Sequence, residues 1–251
     1  MSRSVKRFCA AIVALTLVIA ACSSGTPSPS PTTPTGPPAS FTTPEDAVKA
    51  YLAGVAGANV DAIVATCAIN EAAAGADFAG EANRLKVMLL SGPAPAQYPF
   101  YAEMNRTYFA DRILGQVKML SYSLLSTGTV DANPILADGP QASAFAQQVD
   151  PARLTGLQVV EVRPVTATID SDPKYRADAT ANAEIYGATN SEQRLALVAL
   201  GGSDYEVGFT LFQYPSGWKV FLQSASLSSL PSTGAAQPIT QTDFEQQTSG
   251  S

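Results

Sequence analysis

The chain has 251 residues, of which 46% are hydrophobic and 14% charged, and a formal net charge of −6. This length and composition predict one globular domain with a sizeable core and some chain left over. The acidic balance argues against nucleic-acid binding. The absence of histidine excludes Ser-His-Asp and Cys-His sites and imidazole metal ligands.

Residues 1–21 have the features of a secretory signal peptide. Arg3, Lys6 and Arg7 precede an uncharged stretch from Phe8 to Ala21. That stretch is shorter than the roughly 20 apolar residues of a membrane-spanning helix, and Ser, Gly and Pro follow it soon afterwards. We therefore expect a cleaved export signal.

The sequence Ile19-Ala20-Ala21-Cys22 resembles the lipobox of bacterial lipoproteins. The resemblance implies cleavage between Ala21 and Cys22, attachment of palmitate-type acyl chains at Cys22, and a location on the outer face of the bacterial cytoplasmic membrane. Two or more acyl chains anchor a protein stably, at about 0.8 kcal/mol per buried CH₂. Three of the 15 basic residues lie in the signal, so the remaining chain has 12 basic and 21 acidic residues and a formal charge of −9. We therefore expect its membrane contact to come from the acyl chains alone.

Residues 22–40 comprise this cysteine and a linker rich in Pro, Ser and Thr. The stretch 23–40 contains six prolines and nine Ser or Thr residues. Because it has almost no apolar surface to bury, we expect a disordered, extended linker. At about 3.1 Å per residue, it would hold the domain up to roughly 55 Å from the bilayer.

The folded domain is predicted to occupy residues 41–229 and to begin with two helices. Thr43 is placed to cap the first helix, which Gly57 ends, and Asn59 is placed to cap the second. The apolar residues of the second helix, up to Cys67, recur at helical spacing. Cys67, the one thiol left in the folded part, is thus expected to be a small buried hydrophobe.

The middle of the chain combines helical patterns with a change of period. Residues 70–92 and 101–114 are predicted to be helical, whereas the alternation in 117–125 predicts a first strand. A polar stretch over 126–151, with Asn-Pro and Gly-Pro breakers, indicates an insertion or a long connection.

The second half of the chain is predicted to be a run of strands. Residues 157–168 are β-branched, and alanines alternate with polar residues over 177–185. Residues 205–211 and 218–222 predict a hairpin around Pro-Ser-Gly, while 191–200 fits either a strand or a helix.

Three stretches resemble the NTF2-like superfamily: residues 43–52, with their Thr-Pro-Glu cap and tyrosine helix, residues 57–65, and the Gly-Trp-Lys-Val strand at 217–220. The resemblance implies an α+β fold in which N-terminal helices pack on a curved antiparallel sheet, forming a cone that often encloses a pocket. It suggests Tyr51, with Asp61 or Asp77, as candidate pocket residues. The all-alanine face at 177–183 adds Ala179 and Ala181, because small side chains either admit a helix closely or leave a cavity.

Ketosteroid isomerase belongs to this superfamily, and Tyr51 roughly matches its oxyanion tyrosine. The position of its general base corresponds to residues 72–75, which contain no aspartate, and Asp77 is displaced from it. A lone tyrosine cannot both abstract a proton and stabilise an enolate. We therefore assign no catalytic residue, metal ligand or cofactor, and Tyr51 is better explained as a core residue whose hydroxyl is satisfied.

Residues 230–251 are predicted to be a disordered tail. The tail begins with Leu-Pro-Ser-Thr-Gly at 230–234, which fits the sortase pattern, but a polar sequence follows in place of a hydrophobic span and a basic end. We interpret the match as chance.

The leading functional hypothesis is a non-enzymatic lipoprotein that binds a small apolar ligand, a lipid or an envelope protein. One alternative is an isomerase or dehydratase that uses Tyr51 with Asp61 or Asp77, which requires these groups to converge in one pocket. Another is an interaction scaffold, which would expose an apolar patch of more than a few hundred Å².

Overall fold

The computed structural model describes residues 40–128, 130, 135–165, 172–228, 230 and 233–249. The predicted signal peptide, Cys22 and nearly all of the predicted linker lie outside these ranges. So do part of the predicted insertion and positions 231 and 232 of the sortase-like sequence. All described residues belong to one compact unit.

Two short helices open the domain, as the sequence predicts. Helix α1 spans Pro44–Ala56 and helix α2 spans Val60–Ala65. The side chains of Thr43 and Asn59 each accept a hydrogen bond from the backbone N–H three residues further on. These caps satisfy donors that the first helical turn leaves unpaired.

Four more helices follow: α3 (Ile69–Gly75), α4 (Phe78–Leu85), α5 (Pro99–Leu125) and α6 (Gly139–Gln148). A 3₁₀ helix at Pro151–Gly156 completes this part of the chain. With its 27 residues, α5 is about 40 Å long. None of the described helices is long and apolar enough to cross a membrane.

The predicted strand at 117–125 is wrong, because these residues form the end of α5. Leu120 and Leu124 are buried, and their separation of four residues suits a helix face as well as one side of a strand. The predicted insertion at 126–151 contains α6 and the start of the 3₁₀ helix.

Among the described residues, five strands form one antiparallel sheet: β1 (Gln158–Pro164), β2 (Asn190–Leu200), β3 (Ser203–Tyr214), β4 (Gly217–Leu222) and β5 (Gln237–Pro238). The strand order is β1-β2-β3-β4, and β5 pairs with β3. The predicted strand β1 and the predicted β3–β4 hairpin are confirmed. The ambiguous stretch at 191–200 is the central strand β2.

The predicted strand at 177–185 is wrong, because α7 spans Pro173–Glu184. The side chain of Asp172 caps this helix by accepting from the backbone N–H groups of Lys174 and Tyr175. Four of the five apolar positions in the alternation are alanine, the strongest helix former, and the β-branched Ile185 follows the last helical residue. Local helix propensity therefore outweighs the alternation.

The prediction of a disordered tail is also wrong for residues 233–249. After β5 the chain forms α8 (Gln241–Thr248), whose Phe244 is fully buried. Gly234, the glycine of the sortase-like sequence, is buried, and its carbonyl accepts a hydrogen bond from Nε2 of Gln223.

The sheet is buried on both faces. The main core contains Tyr51 and Leu52 of α1 with Phe209 of β3, and α5 adds Ile113 and other apolar residues. A second cluster packs Phe244 of α8 on the opposite side of β2; its other buried members are Val165, Leu195, Leu197 and Ala225. The fold is α+β, with helices packed on an antiparallel sheet, which confirms the predicted fold class.

Candidate functional site

Tyr51 is fully buried, and its hydroxyl belongs to a polar network in the core. It donates a hydrogen bond of 2.6 Å to Oε1 of Gln223, whose amide in turn donates to the carbonyl of Gly234. Oε1 of Gln116 accepts from the backbone N–H of Gln223 at 3.0 Å. Burial, and secondarily Cys67, raises the pKa of Tyr51 well above its usual value. The hydroxyl is therefore a protonated donor within the core.

The two acids considered with Tyr51 both lie on the surface. Asp61 is exposed in the first turn of α2. Asp77 is exposed at the start of α4, where its carboxylate accepts from the backbone N–H of Gly80 at 2.9 Å. Because Tyr51 has no exposed surface, the structure does not bring these three groups into one pocket.

Ala179 and Ala181 lie on α7, and the structure separates their roles. Ala179 lines a cleft of about 280 Å³ between α7 and the sheet, together with Tyr175 and Phe221. Ala181 is half-buried and is not part of this lining. The amide of Gln193, which also lines the cleft, donates to the Tyr175 hydroxyl at 3.0 Å. The five candidate residues therefore do not form one pocket.

A buried ion pair lies beside the one cysteine of the described chain. The Lys219 side chain is 1% exposed; its Nζ lies 3.7 Å from Oε1 of Glu71 and donates to the carbonyl of Ala65 at 3.2 Å. Cys67 is buried, as predicted, and burial raises its pKa to about 12. Its thiol therefore stays protonated and unreactive near neutral pH.

Residues 85–108 contain the main group of exposed apolar side chains, and we call them the exposed apolar segment. Ten large apolar side chains in it are between 37% and 85% exposed: Leu85, Val87, Met88, Leu89, Leu90, Tyr98, Phe100, Tyr101, Met104 and Tyr108. Exposed apolar patches mark sites of interaction with proteins, membranes or ligands.

The exposed apolar segment is held in place by a buried side chain. Asn105 of α5 is 2% exposed; its Oδ1 accepts from the backbone N–H of Ala94 at 2.7 Å, and its Nδ2 donates to the Ala94 carbonyl at 2.8 Å. Lys86, which follows α4, has a left-handed backbone conformation. This conformation ends the helix at the start of the loop that leads to α5. The apolar side chains are thus carried by a fixed loop and the first turns of α5.

Two basic residues, Arg84 and Lys86, lie at the start of this segment, and the carboxylate of Glu81 lies close to Gly92 within it. No acid occurs between Glu81 and Glu103, whereas Arg84 and Lys86 lie in that interval. Arg84 donates to Oδ1 of Asn182 at 3.0 Å, and Lys86 donates to Oδ1 of Asn83 at 3.1 Å. Both partners are neutral, so these hydrogen bonds leave the positive charges uncompensated.

Sequence reasoning missed this segment because it predicted residues 70–92 to be helical, whereas α3 ends at Gly75 and α4 ends at Leu85. A usable signal was present: five of the six residues from 85 to 90 are large and apolar, and a stretch rich in Pro and Gly follows. Such a run fits neither the helical nor the alternating period.

No family model matches the chain, and no curated protein matches it. Among solved structures, the chain is similar to a cystatin-like protein from Ruminococcus gnavus, with a TM-score of 0.52 and 18% sequence identity. The similarity covers 83% of this chain and 44% of that one, so this chain spans less than half of its length. At this identity the similarity shows the fold alone, and the fold is α+β and cystatin-like.

Proposed function

We propose that this chain is a lipid-anchored extracytoplasmic protein of the NTF2-like type, and that its domain is a non-enzymatic binding module. The exposed apolar segment, residues 85–108, would bind a lipid or an envelope protein. The observation that carries the proposal is the exposure of ten large apolar side chains on this one segment. The sequence Ile19-Ala20-Ala21-Cys22 supports the anchor.

The positions of the candidate catalytic groups favour binding over isomerisation. A proton transfer needs an acid or base within hydrogen-bond reach of the reacting group. Tyr51 is engaged by Gln223 in the core, whereas Asp61 and Asp77 face solvent. We therefore do not propose the isomerase or dehydratase alternative.

The anchor can be tested with matched cysteine variants. In cells fed an alkyne analogue of palmitate, the parent and Cys9→Ala chains should incorporate label and sediment with membranes. Cys22→Ala should do neither, because it lacks the thiol that the lipobox presents. Equal labelling of Cys22→Ala and the parent would refute the anchor.

The binding role can be tested by placing a photo-reactive amino acid at position 90 in the full chain in cells. Leu90 is 85% exposed within the segment, and Leu136, which is 99% exposed outside it, gives the control. We expect defined adducts of lipid or protein mass from position 90 only. Equal adduct formation from both positions would refute a specific role for the segment.

The cleft at Ala179 supports a second candidate, the binding of a small apolar ligand, because it has a volume of about 280 Å³ and an aromatic wall at Phe221. Native mass spectrometry of residues 40–251 would detect a ligand that co-purifies. Ala179→Leu should then abolish its retention, whereas Ala177→Leu on the exposed side of the same helix should not. A clean apo mass for the parent chain would remove this candidate.

A further inference from the structure

We infer that the exposed apolar segment is a bilayer-contact surface, which inserts apolar side chains into a membrane leaflet containing anionic phospholipid. This inference rests on the proposed function, because it assumes that residues 85–108 form a binding surface. It names the occupant of that surface as the membrane to which the chain would be anchored. It also revises the expectation that membrane contact comes from the acyl chains alone.

The apolar side chains of the segment protrude into solvent. Its most exposed side chains are Leu90 at 85%, Phe100 at 71% and Met88 at 62%. The depression beside them on α5, which Phe100, Met104 and Tyr108 line together with Thr107 and the acids Glu103 and Asp111, is open to solvent and does not enclose a ligand. Protruding apolar side chains lose most of their contact with water when they enter an apolar phase, and that transfer is favourable in proportion to the area removed.

Tyrosines and basic residues surround these side chains. Tyr98, Tyr101 and Tyr108 carry a ring and a hydroxyl, and such amphipathic rings favour the boundary between headgroups and acyl chains. Long basic side chains can lie along the same boundary with their charges in water. Arg84 and Lys86 occupy the interval without acids, next to the apolar run.

The basic residues beside the segment complement the charge of an anionic membrane. Basic residues near an anionic bilayer surface are attracted to it electrostatically. Arg84 and Lys86 have no acidic partner in the described part of the chain, whereas Arg106 is neutralised by its ion pair with Glu103. The segment therefore presents net positive charge although the whole chain is acidic.

The same charge argument disfavours a second copy as the occupant. A two-fold interface brings the same patch from both copies together. It would bring the Arg84 and Lys86 side chains of both copies into one interface while joining two acidic chains. An anionic lipid surface meets the same residues with attraction.

The short linker between the proposed anchor and the domain also favours membrane contact. The described domain begins at Ser40, which is 18 residues after the proposed anchor at Cys22. An extended linker of that length spans at most roughly 55 Å, so a tethered domain would always be near the bilayer. Tethering raises the effective concentration of a second, weak contact and makes a modest apolar surface sufficient.

The test uses residues 22–251 with Cys22→Ser, so that vesicle binding is independent of acylation. Co-sedimentation is measured with vesicles of phosphatidylcholine alone and with equal parts of phosphatidylcholine and phosphatidylglycerol. We expect binding to the mixed vesicles and weaker binding to phosphatidylcholine. The double substitution Leu90→Ser and Phe100→Ser should lower the partition coefficient by about tenfold or more, whereas Leu136→Ser should leave it unchanged.

Three outcomes would overturn the inference. The first is that the parent chain binds neither kind of vesicle, and the second is that the double variant binds as well as the parent chain. The third is that the parent chain forms a dimer in solution and the double variant does not, which would identify a second copy as the occupant. Hydrogen exchange in solution verifies that the double variant is folded, and Lys86→Gln separately tests the charge contribution. The protein in the vesicle assay carries no acyl chain on Cys22. The vesicle assay and the labelling of Cys22 in cells can therefore fail independently of each other.

Discussion

The hydroxyl of Tyr51 gives a direct test of the buried polar network. Tyr51→Phe removes one donor but keeps the ring, which packs edge-on against Phe209 with the ring centroids 5.4 Å apart. Oε1 of Gln223 then loses its 2.6 Å bond within a side chain that is 1% exposed. An unsatisfied buried acceptor costs about 1–3 kcal/mol. We expect the free energy of unfolding to fall by about 2 kcal/mol.

The assay is urea unfolding followed by the fluorescence of Trp218, the one tryptophan of the chain, which is buried on β4. The control is Tyr108→Phe, because that ring is 40% exposed; exposed substitutions usually change stability by no more than about 0.5 kcal/mol. A loss for Tyr51→Phe that equals the control would refute the structural role of the hydroxyl. It would also reopen the question of a chemical role.

Three further substitutions test other parts of the fold by the same urea assay. Phe244→Ala should lower the free energy of unfolding by about 3–5 kcal/mol, because the ring is fully buried under the sheet. Glu206 is 9% exposed, and burial raises its pKa above the usual value near 4.5. Protonated Glu206 therefore contributes fully to the stability of the fold at pH values below its unfolded-state pKa. This contribution is lost as the pH rises through its folded-state pKa. Glu206→Gln should raise stability at pH 7 by about 1 kcal/mol and flatten this dependence. Glu71→Gln should cost about 3 kcal/mol, because it leaves the charge of Lys219 buried without its acidic partner.

Each of these predictions has a control variant or an outcome that would contradict it. Gln246→Ala, exposed on the same helix as Phe244, should change little, and a similarly small effect of Phe244→Ala would contradict the packing of α8. An unchanged pH profile in Glu206→Gln would assign the titration to other groups. Lys219→Met should cost less than Glu71→Gln, since it removes the buried charge itself; the opposite order would contradict the ion-pair interpretation.

Local signals predicted the elements that depend on residues close together in the chain. The caps at Thr43 and Asn59 act on N–H groups three residues away, so they can be read without a tertiary structure. The hairpin that joins β3 and β4 is similarly local, because Gly217 supplies the positive φ of +110° that its turn requires. These predictions were confirmed.

The errors arose where one pattern fits two structures. Leu120 and Leu124 can share either a strand side or a helix face, and the preceding turns of α5 decide for the helix. The alternation over 177–185 rests on four alanines, with Thr180 and Ile185 as its β-branched residues and no aromatic residue, so the helix start at Asp172 prevails. A correct reading requires the composition of the alternating positions as well as their period.

Other features are not encoded locally. Phe244 lies in a polar tail sequence, and its burial depends on the outer face of β2, which presents Leu195 and Leu197. That second apolar face also explains why 191–200 has no clear alternation, since both sides of β2 are covered. The role of Tyr51 likewise depends on Gln223, which is 172 residues away.

The exposure of residues 85–108 could not be derived from hydrophobicity alone. The same leucines and methionine would suit a core, and only the packing of α4 and α5 leaves Leu90 and Met88 in solvent. The sequence did contain the acid-free interval and the apolar run. Which of these side chains face outward is a property of the assembled fold.

The central claim is that the anchored protein lays its exposed apolar segment on the membrane. The most direct measurement attaches an environment-sensitive fluorophore at Leu90→Cys in the lipidated chain in vesicles, with Leu136→Cys as the control. Cys67 should not react, because it is 4% exposed and burial raises its pKa to about 12. The account predicts blue-shifted emission, quenched by lipid-borne nitroxides, at position 90 only. Water-like emission at both positions would contradict it.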